Sequence, residues 1–151
     1  MNNEVIKVLN NIKFLEKYKD ISNEYNSDRV GINDRLDYVD GDEVLDILGH
    51  LGYEPYFDKK EKFYTITSIA KNNRIYKFNI FLEAGMVDMI WVVKDKNGLI
   101  LGSPIGTFSK RIEERNQRIK KPVFSSYEDL EKILEKLIKL FEDFVNEYSL
   151  M

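Results

Sequence analysis

Arg74-Ile-Tyr-Lys-Phe-Asn-Ile-Phe-Leu82, Glu83-Ala-Gly85, Val87-Asp-Met-Ile-Trp-Val-Val-Lys94 and Asp95-Lys-Asn-Gly98 follow one another along the chain and decide its fold class. In the first stretch Tyr76, Phe78, Ile80 and Leu82 fall on one face of an extended backbone and Lys77 and Asn79 on the other, the alternation of a sheet covered on one side. Glu83-Ala-Gly85 turns the chain into a nearly continuous apolar run from Val87 to Lys94, which predicts a central strand. Asp95-Lys-Asn-Gly98 is a hairpin signal, because Asn97 and Gly98 both tolerate positive φ. Upstream, Tyr53 to Phe57 reads as a short strand, and Pro55 suits an edge because it lacks a ladder donor. Lys62 to Ile69 is a further strand, set off from Arg74 by the turn residues Lys71-Asn72-Asn73. Leu99 to Ser103 completes an antiparallel meander of four or five strands spanning roughly residues 53–104.

Helical periodicity flanks this region on both sides. Val5, Val8, Leu9, Ile12, Leu15 and Tyr18 recur at three and four residues, which predicts one amphipathic helix from Glu4 to about Asp20. Ser22 to Tyr38 is polar and irregular and reads as an ordered loop. Asp40-Gly-Asp-Glu43 supplies an acidic N-cap with a glutamate three residues on, ahead of Val44, Leu45, Ile47, Leu48 and Leu51; Gly49 or Gly52 can end this second helix. Past Gly102, Pro104 and Gly106, the segment Phe108–Lys121 is a basic, partly helical connector. The last element is the clearest: Ser125 with Glu128, or Ser126 with Asp129, caps a helix whose wide apolar stripe runs from Leu130 to Tyr148. These elements define an α+β fold, a single domain over residues 1–151, with two N-terminal helices and a long C-terminal amphipathic helix packed on the sheet.

At 151 residues the chain is long enough for a core without covalent staples, and its lack of cysteine excludes disulfide scaffolds, cysteine zinc sites, iron–sulfur clusters and thiol nucleophiles together. Lysine far outnumbers arginine and isoleucine and asparagine are plentiful, a usage that suggests an AT-rich genome. No apolar run is long enough for a signal peptide or a membrane span, so the expected compartment is the cytoplasm and no membrane partner is expected. The net charge of -3 hides a strong partition. Residues 1–58 carry 13 acidic and 6 basic residues, residues 59–122 carry 6 and 14, and residues 123–151 carry 7 and 3. Acidic helices covering a basic sheet would cancel this internally; otherwise one surface is left to orient a partner.

Catalytic equipment is scarce. His50 is the only histidine, no Gly-x-Ser-x-Gly elbow accompanies it, and no phosphate-binding glycine loop occurs. Gly102-Ser-Pro-Ile-Gly106 has the wrong spacing for a nucleophile turn. The acids before Gly41 fail the register of a calcium loop, because the ligand positions counted back from that glycine fall on Leu36, Tyr38 and Asp40. Glu83 and Asp88 flank a turn with nothing titratable arranged about them. An enzyme, a metal and a cofactor are therefore not expected. In the basic connector, Lys110, Arg111, Arg115, Arg118, Lys120 and Lys121 are interrupted by Glu113 and Glu114 and lack interleaved aromatics, which argues against nucleic acid as the main partner. Weak nucleic-acid binding through residues 110–121 is retained as an alternative. Tyr53, Tyr56, Phe57, Phe63 and Tyr64 are expected mostly to pack under the first helices. A small-molecule or regulatory pocket between the sheet and the C-terminal helix, around Trp91, is the other alternative.

From Val87 onward the chain resembles small bacterial immunity proteins encoded beside polymorphic or contact-dependent toxins. The resemblance rests on Val87–Lys94, the turn at Gly98, Gly102-Ser-Pro104, Pro122-Val-Phe-Ser-Ser-Tyr-Glu-Asp-Leu130 and Phe141-Glu-Asp-Phe144, and covers about the last 65 residues. It implies a cytoplasmic binding protein that neutralises a cognate toxin domain by occluding its active site or an exosite, acting as a monomer or weak homodimer. Many such toxins are nucleases with basic grooves, for which an acidic surface would mimic the substrate. On that implication Asp34, Asp37, Asp40, Asp42 and Glu43 are the expected contact patch, with Tyr38 as an aromatic anchor.

Overall fold

The sheet is built outward from one hairpin. In the computed structural model, which describes residues 1–112 and 118–151, β4 (Arg74–Glu83) and β5 (Met86–Asp95) pair over their full length from Glu83↔Met86 to Ile75↔Lys94. Ala84 and Gly85 both take positive φ in the tight turn between them. The preceding strands are β1 (Pro55–Asp58), β2 (Phe63–Ile66) and β3 (Ile69–Lys71), and β6 (Gly98–Pro104) follows. The order is β1-β2-β4-β5-β6 with β3 also on β4, all neighbours antiparallel. Pro55 sits on the edge strand, where its missing N–H costs no ladder bond. The single strand expected over Lys62–Ile69 is two, broken at Thr67 and Ser68, and β3 turns into β4 through Asn72 and Asn73, both at positive φ.

All the helices lie on one face of this sheet. They are α1 (Asn3–Asn11), α2 (Phe14–Tyr25), α3 (Gly41–His50), α4 (Phe108–Ile112) and α5 (Tyr127–Tyr148), with a 3-10 turn at Ile105–Thr107 before α4. The one helix expected over Glu4–Asp20 is a corner, because Lys13 is left-handed at φ 59°. The break has a packing reason. It turns Phe14 inward to stack on Tyr18 and meet Trp91 and Phe108 at ring distances of 5.2–5.6 Å, while Val5, Val8 and Leu9 stay buried on α1. Ser22–Tyr25, read as loop, is the last turn of α2.

The expected second helix is α3, with Asp40 as its N-cap and Gly52, at φ 95°, just beyond its end. The C-terminal helix starts in the Ser126 frame: Asp129 N donates to Ser126 Oγ at 3.1 Å. Ten of its side chains are buried. Each fully buried Leu or Phe contributes roughly 2 kcal/mol, so packing against the sheet holds α5 more firmly than intrinsic propensity does.

The two sheet faces differ. Tyr76, Phe78, Ile80, Met89, Trp91 and Val93 are fully buried under the helices. The opposite face carries Tyr56, Phe63, Phe81, Ile90 and Val92 in half-exposed positions around a buried polar pair, Thr65 Oγ1 and Asn79 Oδ1 at 2.7 Å. The tyrosines and phenylalanines expected under the first helices are thus split: Tyr64 is buried on the helix side, Phe63 packs against Phe81 on the open side, and Tyr56 and Phe57 remain 48% and 39% exposed. Strand alternation sends neighbouring residues to opposite faces, so consecutive aromatics could not all go inward. Of the basic connector, residues 113–117 lie outside the described residues. No helix among the described residues is long and apolar enough to cross a membrane.

Candidate partner-binding site

The acidic loop has few apolar residues to fix it, yet its backbone is tied down at several points. Turns form at Arg29 N to Asn26 O (3.0 Å) and Asp34 N to Gly31 O (2.9 Å). Leu36 N then donates to Phe124 O at 3.1 Å, and Phe124 N donates to Gly85 O at 2.9 Å, linking the loop through the segment before α5 to the β4–β5 turn. Asp40 N donates to the Tyr127 hydroxyl at 2.8 Å. Arg35 lays its stem across Gly85, so closely that a Cβ added there would stand 2.7 Å from Arg35 Cβ. The glycine is required twice at that point, by its φ of 74° and by this approach.

With the backbone held, the side chains point outward. Asp34, Asp37, Tyr38, Asp40, Asp42 and Glu43 are all exposed, Tyr38 by 84%, and the neighbouring Ile32 by 72%. None of the five carboxylates forms an ion pair among the described residues. Asp40 has a structural role as well: its carboxylate accepts from Asp42 N at 2.9 Å and caps α3. Asp42 and Glu43 occupy the first turn of that helix, where its dipole favours negative charge. The helix thereby stabilises a concentration of acid that would repel itself elsewhere.

The fold also adds residues that the linear sequence left apart. Glu43, Asp46 and His50 of α3 line a shallow groove with Tyr127, Glu128 and Glu131 of α5. His50 Nδ1 lies 3.4 Å from Glu131 Oε1, with an 83% exposed side chain. The first turns of α5 therefore extend the acidic surface begun by the loop. The capping signal at Ser126 located that helix end, but nothing local in the sequence places it beside α3.

Internal cancellation of the charge partition is slight. Only two ion pairs among the described residues use a cation from the basic middle, Lys120–Asp28 at 2.8 Å and Lys121–Asp88 at 3.3 Å. The remaining pairs lie among the helices, between two of them as in Lys17–Asp143 and Lys136–Glu24, or within α5 as in Lys132–Glu128 and Lys139–Asp143. Lys120 and Lys121, two members of the basic segment, are thus held against the chain's own carboxylates, while Arg115 lies outside the described residues. At Trp91, the centre of the alternative pocket, the indole is fully buried and ringed by Phe14, Phe108, Phe141 and Phe144 at 5.3–5.8 Å. Side chains fill the space that a ligand there would occupy. Glu83 is exposed and Asp88 is taken up by Lys121, so the two carboxylates flanking the β4–β5 turn are not arranged as an acid–base couple.

Compared with models of protein families, with curated proteins and with solved structures, the chain matches none.

Proposed function

We propose that this chain is a binding protein of the immunity type, which neutralises a cognate bacterial toxin domain by docking its acidic surface over a basic active-site groove or exosite. The observation that supports this reading is Tyr38: a large aromatic side chain, 84% exposed, on a backbone fixed at Leu36 and Asp40 and surrounded by carboxylates that form no ion pair among the described residues. Aromatic anchors amid complementary charge dominate tight interfaces, and a pre-fixed loop lowers the ordering cost of association. Catalysis is not part of the reading; inhibition by occlusion needs only affinity.

The test is co-expression with the product of the neighbouring open reading frame, asking whether this chain rescues growth and co-purifies. Asp37→Lys and Asp42→Lys with Tyr38→Ala should then weaken binding by several kcal/mol, about a thousandfold or more. Asp40 is left in place in that variant because it caps α3. Unchanged affinity in a variant with a wild-type melting temperature would remove the acidic surface from the interface. Failure of every neighbouring product to bind would remove the immunity reading itself.

A further inference from the structure

We propose that the groove between the last turns of α2 and the segment Arg118-Ile-Lys120 is an anion site for one phosphate dianion, taken as free phosphate or as the monoester of a small molecule. Lys19, Ser22, Asn23 and Asn26 follow the three-and-four spacing of one helical face, so α2 and its C-cap present them as a single wall. Arg118, Ile119 and Lys120 form the other wall, and the concavity measures about 360 Å³, within the range of small-ligand sites. Ser22 lines it although only 3% exposed, so the groove reaches down to a buried polar residue. None of these residues belongs to the acidic surface, and the inference stands apart from the partner-binding reading.

The groups already engaged decide what chemistry is left to a ligand. Asp28 is the one carboxylate lining the groove among the described residues, and both its oxygens accept from Lys120 Nζ at 2.8 Å. Asn26 Oδ1 accepts from Asp28 N at 2.9 Å, which fixes that amide and leaves its NH2 group to donate. Carbonyls at a helix C-terminus would repel an anion, but here the chain's own donors occupy them. Asn26 O accepts from Arg29 N and Val30 N, Asn23 O from Arg29 Nε, and Tyr25 O from Val123 N.

Donors and positive charge remain. Lys19, half-buried, and Arg118 form no ion pair among the described residues, and the Asp28–Lys120 pair beside them is neutral as a unit. The groove therefore offers two uncompensated cations and an amide donor. A phosphate dianion matches that set, with nearly two negative charges at neutral pH and three strongly accepting oxygens. A phosphodiester strand matches it less well, because each of its groups brings a single charge and the described lining has no aromatic ring on which bases would stack.

Amide resonances of the full chain, followed at about pH 7.5 and about 150 mM sodium chloride, supply the test. Inorganic phosphate and glucose 6-phosphate are titrated separately, with glucose and a uridine hexanucleotide bearing hydroxyl ends as controls. At least one dianion should shift the Ser22, Asn23, Asn26 and Ile119 amides to saturation with a Kd below about 1 mM, and the tighter of the two identifies the source. Glucose should leave these amides in place, and the hexanucleotide should bind at least tenfold more weakly. Lys19→Gln and Arg118→Gln should each weaken dianion binding at least tenfold with the melting temperature unchanged; Arg118 is exposed, so its variant keeps the test open even if Lys19→Gln unfolds. Shifts that never saturate, an affinity unaltered in Arg118→Gln, or a hexanucleotide that binds as tightly as the dianions would each overturn the proposal.

Discussion

Tyr18 sets packing against polarity. Its ring stacks on Phe14 at 5.5 Å and is 1% exposed, while its hydroxyl is buried with no hydrogen-bond partner among the described residues. Burial, with the charge of Asp88 as a smaller cause, pushes its pKa well above the ordinary tyrosine value. The folded state therefore holds this proton more tightly than the unfolded state. The stability linked to it is complete below about pH 10 and declines as the pH rises further. Tyr18→Phe removes an unsatisfied group rather than a bond, so it is expected to be neutral or to stabilise by up to about 1 kcal/mol, and to flatten that alkaline decline. Urea titrations at neutral pH and at about pH 11, above the ordinary tyrosine value, check both. Gly85 behaves oppositely: Gly85→Ala meets a φ of 74° and the Arg35 stem together, and should cost at least about 1–2 kcal/mol. Because Gly85 O also receives Phe124 N, faster amide exchange at Leu36 and Phe124 should accompany that loss.

At the scale of elements, α5 is fastened at both ends by groups far apart in sequence. Ser126 caps its start, and Ser126→Ala should destabilise by about 1 kcal/mol in chemical denaturation. At its end Arg74 of β4 donates to Tyr148 O at 2.6 Å and Met151 O at 2.9 Å, with its guanidinium 4.5 Å from the Tyr148 ring centroid. A cation there complements the negative end of the helix. Arg74→Met should cost about 1–2 kcal/mol and fray the last turn, which amide exchange would localise at its C-terminal residues. Along the helix, Lys136 reaches Glu24 of α2 at 2.9 Å, and this hydrogen bond holds the Glu24 carboxyl below its ordinary range. The stability it adds is present above the ordinary glutamate pKa, about 4.3, and is lost as the pH falls below it. Glu24→Gln should remove that increment, no more than a few tenths of a kcal/mol for so exposed a pair.

These elements also mark how far the sequence can be read. Period-two alternation found β4 and period-three-and-four spacing found α5, because each repeats a local rule over many residues. The corner at Lys13 was illegible for the converse reason: the apolar spacing runs through it unbroken, and only the tertiary demand for Phe14 beside Trp91 turns the chain. The exposed acids were visible as a run, whereas their continuation onto Glu128 and Glu131 depends on α3 meeting α5 in space.

The whole molecule separates charge by layer, with acidic α3 and α5 on one side and lysine-bearing strands on the other. Few ion pairs bridge the layers, so the separation persists outside the molecule as a field. Association with a basic partner should slow by tenfold or more between about 50 and 500 mM salt while the dissociation rate changes little, a pattern that stopped-flow mixing would record. Thermal melting over the same salt range should move only a few degrees, because the core of Phe14, Trp91, Phe108, Phe141 and Phe144 is indifferent to ionic strength.

The tether of the acidic loop has a bearing on how the protein is made. Leu36 and Asp40 leave the ribosome early, but their hydrogen-bond partners Phe124 and Tyr127 are translated nearly ninety residues later. Until that late segment emerges, the β4–β5 hairpin can close on its own local contacts while the loop lacks the hydrogen-bond partners of Leu36 and Asp40. A nascent chain thus acquires its scaffold before its recognition surface, and a partner that reads the docked loop engages only molecules whose synthesis has passed Tyr127.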